Sequence, residues 1–372
     1  MAQFQINKGR FTSSRIVATD TAAEIESLQD GDVVVAIDRF AFTANNVTYA
    51  VAGDQLGYWQ FFPPVPAEAG EDASGWGVIP VWGFADVVAS RNEAVPVGDR
   101  LFGYFPPAST LRMTPVRVGD TRLIDGSPHR AKLPPAYNSY SRVNNEPGYT
   151  SSFDDQRMLL WPLHITSYCL WDMLQEQDWF GAEQIVILSA SSKTSIGLAY
   201  ALASDDSAPD VIAVTSPRNM NFVESLGLYA HSHTYDELAA IDARVPTVIV
   251  DMSGSGKVLG QLHTHLADNM KQCINVGLTH WDEAVPGQGI IKSRSQRFFA
   301  PSHVQKRIKD WGADGFATRS SAFLRDSAEK SWKWMRLATI DGLDGLAEVY
   351  PKVCEGSVAA DEGIIVVLEQ QT

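Results

Sequence analysis

The stretch that decides the fold is IVILSASSKTSIGLAYALA, residues 185–203. Four apolar, largely β-branched residues run into a polar loop. Apolar residues then return at helical spacing, so a buried strand hands over to a helix. In open α/β sheets such a junction is where a nucleotide phosphate sits, on the unpaired N–H groups of the helix start. The loop from Ser189 to Ser195 holds no glycine. Aligning the third glycine of G-x-G-x-x-G with Gly197 puts Ser192 and Thr194 at the first two positions. Two readings stay open. The loop is a plain tight connection, or it is a phosphate cradle in which the hydroxyls of Ser191, Ser192 and Thr194 and the Lys193 ammonium stand in for the missing glycines.

Around this junction the chain alternates. A helical pattern in DDQRMLLWPLHITSYCLWDMLQEQ (154–177) precedes it, and further strands are expected near 185–189, 211–215, 247–251 and 272–276, each separated by room for a helix. That order implies an α/β, doubly wound parallel sheet. The second strand ends in TSPRN (215–219), about twenty residues beyond Gly197, where an acid would meet the ribose hydroxyls of NAD. No carboxylate stands there. Ser216 and Arg218, with Asn219 beside them, are suited to a 2′-phosphate, so the expected cofactor is NADPH; the alternative is a solvated turn with a surface arginine. A Walker-like stretch, DMSGSGKVLG (251–260), lacks the early glycine, because Asp251 stands there, and has Val258 where a magnesium-binding hydroxyl belongs.

The first 150 residues read differently. They hold twelve of the nineteen prolines among short β-rich runs, DVVVAIDRFAF, GWGVIPVWGFADVV and RLFGYF, which is the texture of an antiparallel β domain with many turns. Residues 134–155, polar and turn-rich, are expected to be a linker or an active-site loop. Near the end, SAEKSWKWMRLATIDGLDGLAEVY reads as a helix and EGIIVVLE as a strand.

With 372 residues, two domains are expected. The net charge of −14 argues against sequence-independent nucleic-acid binding, which needs a basic face, and favours a small-molecule substrate. Three widely spaced cysteines form no zinc lobe and no disulfide framework. There is neither a signal-like leader nor an apolar run long enough for a membrane span, so a soluble cytoplasmic protein is expected. His263 and His265, two apart on a helix, would diverge rather than share a metal. Lys292, Arg294, Arg297, Lys306 and Arg307 concentrate positive charge, either as an ion-paired face or for capture of an anionic group.

The order of these motifs resembles the medium-chain dehydrogenase/reductase superfamily, particularly its zinc-free quinone- and enoyl-reductase branches. DGDVVVAIDRFAFTANNVTYAVAGD looks like the family's opening strand and Asn-containing loop, and GWGVIPVW…VPVGDRLFGYFP like its G-D-R-V-F-G segment. LLWPLHITSYCLWDML is similar to the helix whose threonine lies near the nicotinamide, here Thr166, and CINVGLTHW to the strand ending beside that ring, here at Gly277 and Leu278. SASSKTSIGLA, TSPRN and FFAPSHVQKRIKDWG together look most like a bacterial and fungal group known only as a domain of unknown function.

The resemblance implies a GroES-like β domain, residues 1–155 completed by about 320–372, and a Rossmann domain, 156–319. It also implies a homodimer and an NADPH-dependent reductase of an activated double bond or quinone-like carbonyl. The alcohol-dehydrogenase zinc ligands are absent, so no metal is expected. Without zinc, a neutral phenol suits the developing oxyanion. Tyr49 or Tyr58 is the candidate donor, with Asn45 or Asn46 to orient the ligand and the aromatic run Tyr58, Trp59, Phe61 and Phe62 to wall it. His280 is a further candidate proton donor. A reading from another class also stands: a non-catalytic NADPH-binding sensor or interaction protein on the same fold.

Overall fold

The structure, a computed structural model, describes residues 1–51, 53–55, 57–276 and 289–369. Two compact units form, Met1–Leu159 with Arg336–Thr372, and Leu160–Met335.

In the second unit six strands run parallel: β1 (Gln184–Leu188), β2 (Asp210–Thr215), β3 (His231–Thr234), β4 (Thr247–Asp251), β5 (Met270–Asn275) and β6 (Ser295–Arg297). Their order is β3-β2-β1-β4-β5-β6. The main helices are α1 (Asp154–Glu176), which enters from the first unit, α2 (Lys193–Ala203), α3 (Gly256–Leu266) and α4 (Ala300–Ser331). The two-residue period of a strand decides the cores. Ile185 and Ile187 of β1 join Leu170, Leu174 and Leu198 on one face, while Val186 and Leu188 join Leu259, Leu262 and Leu266 on the other. A sheet buried on both faces needs continuous apolar strands, which is what IVIL and its counterparts supply.

The first unit is built on a nine-stranded, mainly antiparallel sheet. Its central strand, Val33–Phe42, pairs with Val81–Ser90 and, through its other edge, with Thr110–Met113 and the C-terminal strand Glu362–Val367. This sheet and the parallel one together are the GroES-like and Rossmann halves of the expected fold class.

Three expectations change. The C-terminal return to the first unit begins at Arg336 rather than near 320; the helical stretch Ala300–Ser331, interrupted at Gly312 where φ is +75°, stays with the second unit. The stretch read as one terminal helix is cut by a strand, Arg336–Asp341, and a helix resumes at Gly342–Cys354. Gly342 takes φ +66° at that junction, a conformation closed to most side chains. Residues 134–155 are no linker. Ser139–Arg142 pairs with two strands, and fully buried Tyr140 lies so close over Gly103 that a Cβ there would come within 2.3 Å of its ring.

Candidate functional site

β1 has β2 on one side and β4 on the other, so the chain leaves its carboxyl end at the point where the strand order reverses. A crevice for a ligand opens at such a switch point. The turn is made at Ser189, which takes φ +59°. A left-handed residue other than glycine costs about 1–2 kcal/mol. Two tyrosines hold it: Tyr235 Oη accepts from the Ser189 N–H at 3.1 Å, and Tyr229 donates to the Ala190 carbonyl at 2.8 Å. The glycine-free turn therefore lies three residues before the position that the glycine alignment assigns to it.

Ser192 caps α2, its Oγ accepting from the Ser195 N–H at 3.2 Å. The Ser195 hydroxyl in turn donates to the Met252 sulfur at 3.1 Å, closing the loop after β1 against the loop after β4. Ser191 points inward, its Oγ accepting from Asn219 Nδ2 at 2.9 Å and from Thr215 Oγ1 at 3.3 Å. The structure thus brings Ser191 and Asn219 together, but as braces. The Ser192 hydroxyl donates to Ser195 Oγ at 2.8 Å within the loop, whereas Ser191 Oγ only accepts in its two bonds and so keeps its own proton to donate. Thr194 carries the open donor: among the described residues its backbone N–H has no acceptor, at the positive end of the α2 dipole. Lys193, half-buried, stands next to it. After β2, Ser216 is half-buried and Arg218 exposed.

Below the loop, Gly197 lets α2 approach α1. A Cβ there would stand 2.6 Å from Ser167 Oγ and 2.7 Å from His164 Cδ2. Ser167 donates to the Thr194 carbonyl at 2.7 Å, and buried His164 bonds Ser327 Oγ through Nδ1 at 2.9 Å. Burial pulls the His164 pKa down to about 4, so the ring beside the positive helix start is neutral. Thr166 is half-buried on the same helix. An amide donor, a helix dipole and a nearby lysine suit a pyrophosphate, so the residues present fit a dinucleotide. Gly277, Leu278 and His280 lie outside the described residues.

The other candidates in this unit are spent. Asp251 accepts from the Ser253 and Gly254 amides and the Ser253 hydroxyl, turning the Walker-like stretch into a brace for its own loop. His263 accepts from the Ile291 N–H and His265 meets the Ile241 carbonyl. Arg307 pairs with Asp172, Glu176 and Asp310, and Lys306 with Glu176, which favours the ion-paired reading of that segment. Among the described residues no three His, Cys, Asp or Glu side chains could together hold a metal ion. No helix among them is long and apolar enough to cross a membrane.

In the first unit, Tyr49 and Tyr58 stack at a centroid distance of 4.4 Å, and both are buried. Tyr49 Oη accepts from Asn45 Nδ2 at 2.7 Å, and Tyr58 Oη lies 3.4 Å from Tyr137 Oη. Burial raises the Tyr49, Tyr104 and Tyr137 phenols well above the ordinary value, so all are neutral donors. Asn46 is committed: Oδ1 accepts from Thr43 and Nδ2 donates to the Pro80 carbonyl. Of the two asparagines, Asn45 is the one that touches a phenol. Trp82, Tyr104 and Tyr137 complete this aromatic group; strand register sets Trp82 opposite Tyr104, and the turn Pro135–Asn138 lays Tyr137 on Tyr104, neither of which is legible from local sequence.

No curated protein matches the chain in sequence. Among solved structures, CurA of Vibrio vulnificus in complex with NADPH is similar with a TM-score of 0.61 at 12% identity, over 100% of both chains. An alcohol dehydrogenase superfamily protein of Novosphingobium aromaticivorans gives 0.54 at 16%, covering 99% of this chain and 100% of the other. The yhdH oxidoreductase of Salmonella enterica in complex with NADP gives 0.54 at 15% with the same coverage. These likenesses agree with the two halves described above as a medium-chain dehydrogenase/reductase fold. The family model described as "Protein of unknown function (DUF2855)" matches residues 40–359, and the chain belongs to that family.

Proposed function

We propose that this protein is an NADPH-dependent, zinc-independent reductase acting on an activated double bond or a quinone-like carbonyl. The observation that carries the reading is the open Thr194 amide at the start of α2, beside Lys193, with no carboxylate at the end of β2 and Arg218 exposed there instead. The similar structures of CurA in complex with NADPH and of the yhdH oxidoreductase in complex with NADP add support.

When bound, NADPH would supply the hydride and leave as NADP⁺. The chain's own share begins with the phosphates. The Thr194 N–H and the Lys193 ammonium hold the pyrophosphate, and Ser216 and Arg218 take the 2′-phosphate. At the substrate, the electrons displaced by the arriving hydride collect on a carbonyl oxygen. A neutral phenol donates a hydrogen bond there, and the proton that completes reduction comes from it or from water. The hydrogen bond from Asn45 to the Tyr49 oxygen supports Tyr49 in that role, with Tyr58 the alternative.

The test is NADPH oxidation with a panel of enones and quinones, set beside fluorescence titration of NADPH alone. Turnover supports the reductase. Binding without oxidation by any of them would favour a non-catalytic NADPH binder, a reading to which the deep burial of the Tyr49 hydroxyl lends weight. Absence of binding would remove both.

A further inference from the structure

Ser191 follows the turn at the carboxyl end of β1, where the strand order reverses. Its Oγ accepts from Asn219 Nδ2 at 2.9 Å and from Thr215 Oγ1 at 3.3 Å. A hydroxyl offers two lone pairs and one proton, so these bonds fill its accepting capacity and leave only donation. Among the described residues no group accepts that proton, and none accepts the Ser191 N–H. The residue is 8% exposed, so water reaches it little. Buried donors are seldom left unmet in this way.

Both bonds come from one side. Thr215 is the last residue of β2, and Asn219 closes the short turn that follows, its own N–H bonded to the Ser216 carbonyl at 2.9 Å. The hydroxyl oxygen is tetrahedral, so with that side filled the proton is turned away from the end of β2. Accepting two bonds also polarises the O–H and makes it a better donor. Three residues on, the Thr194 N–H is open at the start of α2. A hydroxyl and two amides in one loop, all donors without acceptors among the described residues, suit the oxygens of an anion. Asn219 itself stands next to Arg218 and three residues after Ser216, in the loop read above as taking the 2′-phosphate.

We propose that Asn219 is a positioning residue that holds the Ser191 hydroxyl so that its proton meets the pyrophosphate of the dinucleotide; the loop that takes the 2′-phosphate thereby sets a donor for the pyrophosphate as well. The proposal rests on the dinucleotide reading above. Asn219 acts without touching the cofactor, so its loss is felt only through Ser191.

The test uses the full chain as wild type, Ser191→Ala, Asn219→Leu and the double variant. Two probes are titrated by calorimetry: NADPH, and adenosine 2′-monophosphate, which carries the 2′-phosphate but no pyrophosphate. Ser191→Ala should weaken NADPH about tenfold or more, the scale of a hydrogen bond to a charged group, and Asn219→Leu should do nearly as much. The double variant should bind NADPH no more weakly than Ser191→Ala, because both changes remove one and the same donor. The monophosphate should bind all four proteins alike, which a general loosening of the loop would not allow. Asn219 is half-buried, so Asn219→Leu decides the matter if Ser191→Ala fails to fold. NADPH bound as tightly by Asn219→Leu as by wild type, losses that add in the double variant, or a monophosphate weakened alongside NADPH overturns the proposal alone. NADPH binding by a wild type that ignores the monophosphate takes the 2′-phosphate out of that loop and the coupling with it. Failure of wild type to bind NADPH removes the dinucleotide reading and the proposal together.

Discussion

Gly197→Ala should destabilise the second unit, although the same change in an exposed helix stabilises. Replacing a helix-interior glycine by alanine ordinarily gains about 0.5–1 kcal/mol. Here the new Cβ would stand 2.6 Å from Ser167 Oγ and 2.7 Å from His164 Cδ2, with His164 Cγ at 3.0 Å. Neither neighbour can retreat cheaply, because Ser167 is bonded to the Thr194 carbonyl and His164 to Ser327. Overpacking of this kind costs about 1–3 kcal/mol, which outweighs the propensity gain. The net loss is about 1–2 kcal/mol, or a midpoint lower by about 2–4 °C per kcal/mol for a unit of this size. Urea and thermal melts of the full chain followed by circular dichroism give the number. Adding Ser167→Ala to Gly197→Ala should recover part of it, since contacting sites couple by about 0.5 kcal/mol or more. A variant as stable as wild type, or more so, refutes the claim that this glycine exists to bring α2 down onto α1.

Three further outcomes are expected. Arg218→Ala should weaken NADPH about tenfold or more, the scale of a charged hydrogen bond, and leave NADH nearly unchanged; equal loss for both in fluorescence titrations would remove Arg218 from the 2′-phosphate. Tyr235→Phe should cost about 1 kcal/mol by depriving the Ser189 N–H of its acceptor, and Ser189→Gly in that background should restore most of it, because glycine accepts the positive φ unaided. A double variant no better than Tyr235→Phe would contradict this. Burial lowers the His164 pKa from 6.5 to about 4, so between those values the unfolded chain binds the extra proton and stability rises with pH. The wild type should therefore lose roughly 3 kcal/mol on going from neutral pH down through that window, and His164→Asn should lose less over the same range in pH-dependent urea melts.

What could be read beforehand was whatever the chain writes locally. The apolar run of β1 and the helix after it are legible from periodicity, whereas the motif reading of Gly197 points to packing on the strand and the structure sets it against α1. The meeting of Ser191 with the end of β2 follows from strand order, though its inward direction does not. The turn at Ser189 was not legible, because nothing in serine announces a positive φ and its tyrosine supports come from a later part of the chain. The linker alternative for residues 134–155 failed because composition does not show that one fully buried tyrosine, seated over Gly103, ties a polar neighbourhood into the sheet.

The two phenols that hold the Ser189 turn lie 46 and 39 positions downstream of the groups they bond. The information for that loop's shape is thus stored outside the loop. A peptide spanning only the first strand, its turn and the next helix would lack the instruction, and during folding the bend can settle only after the segment bearing Tyr229 and Tyr235 has docked. A protein that writes this bend with glycine can draw it at once; this one must wait for the third strand to arrive.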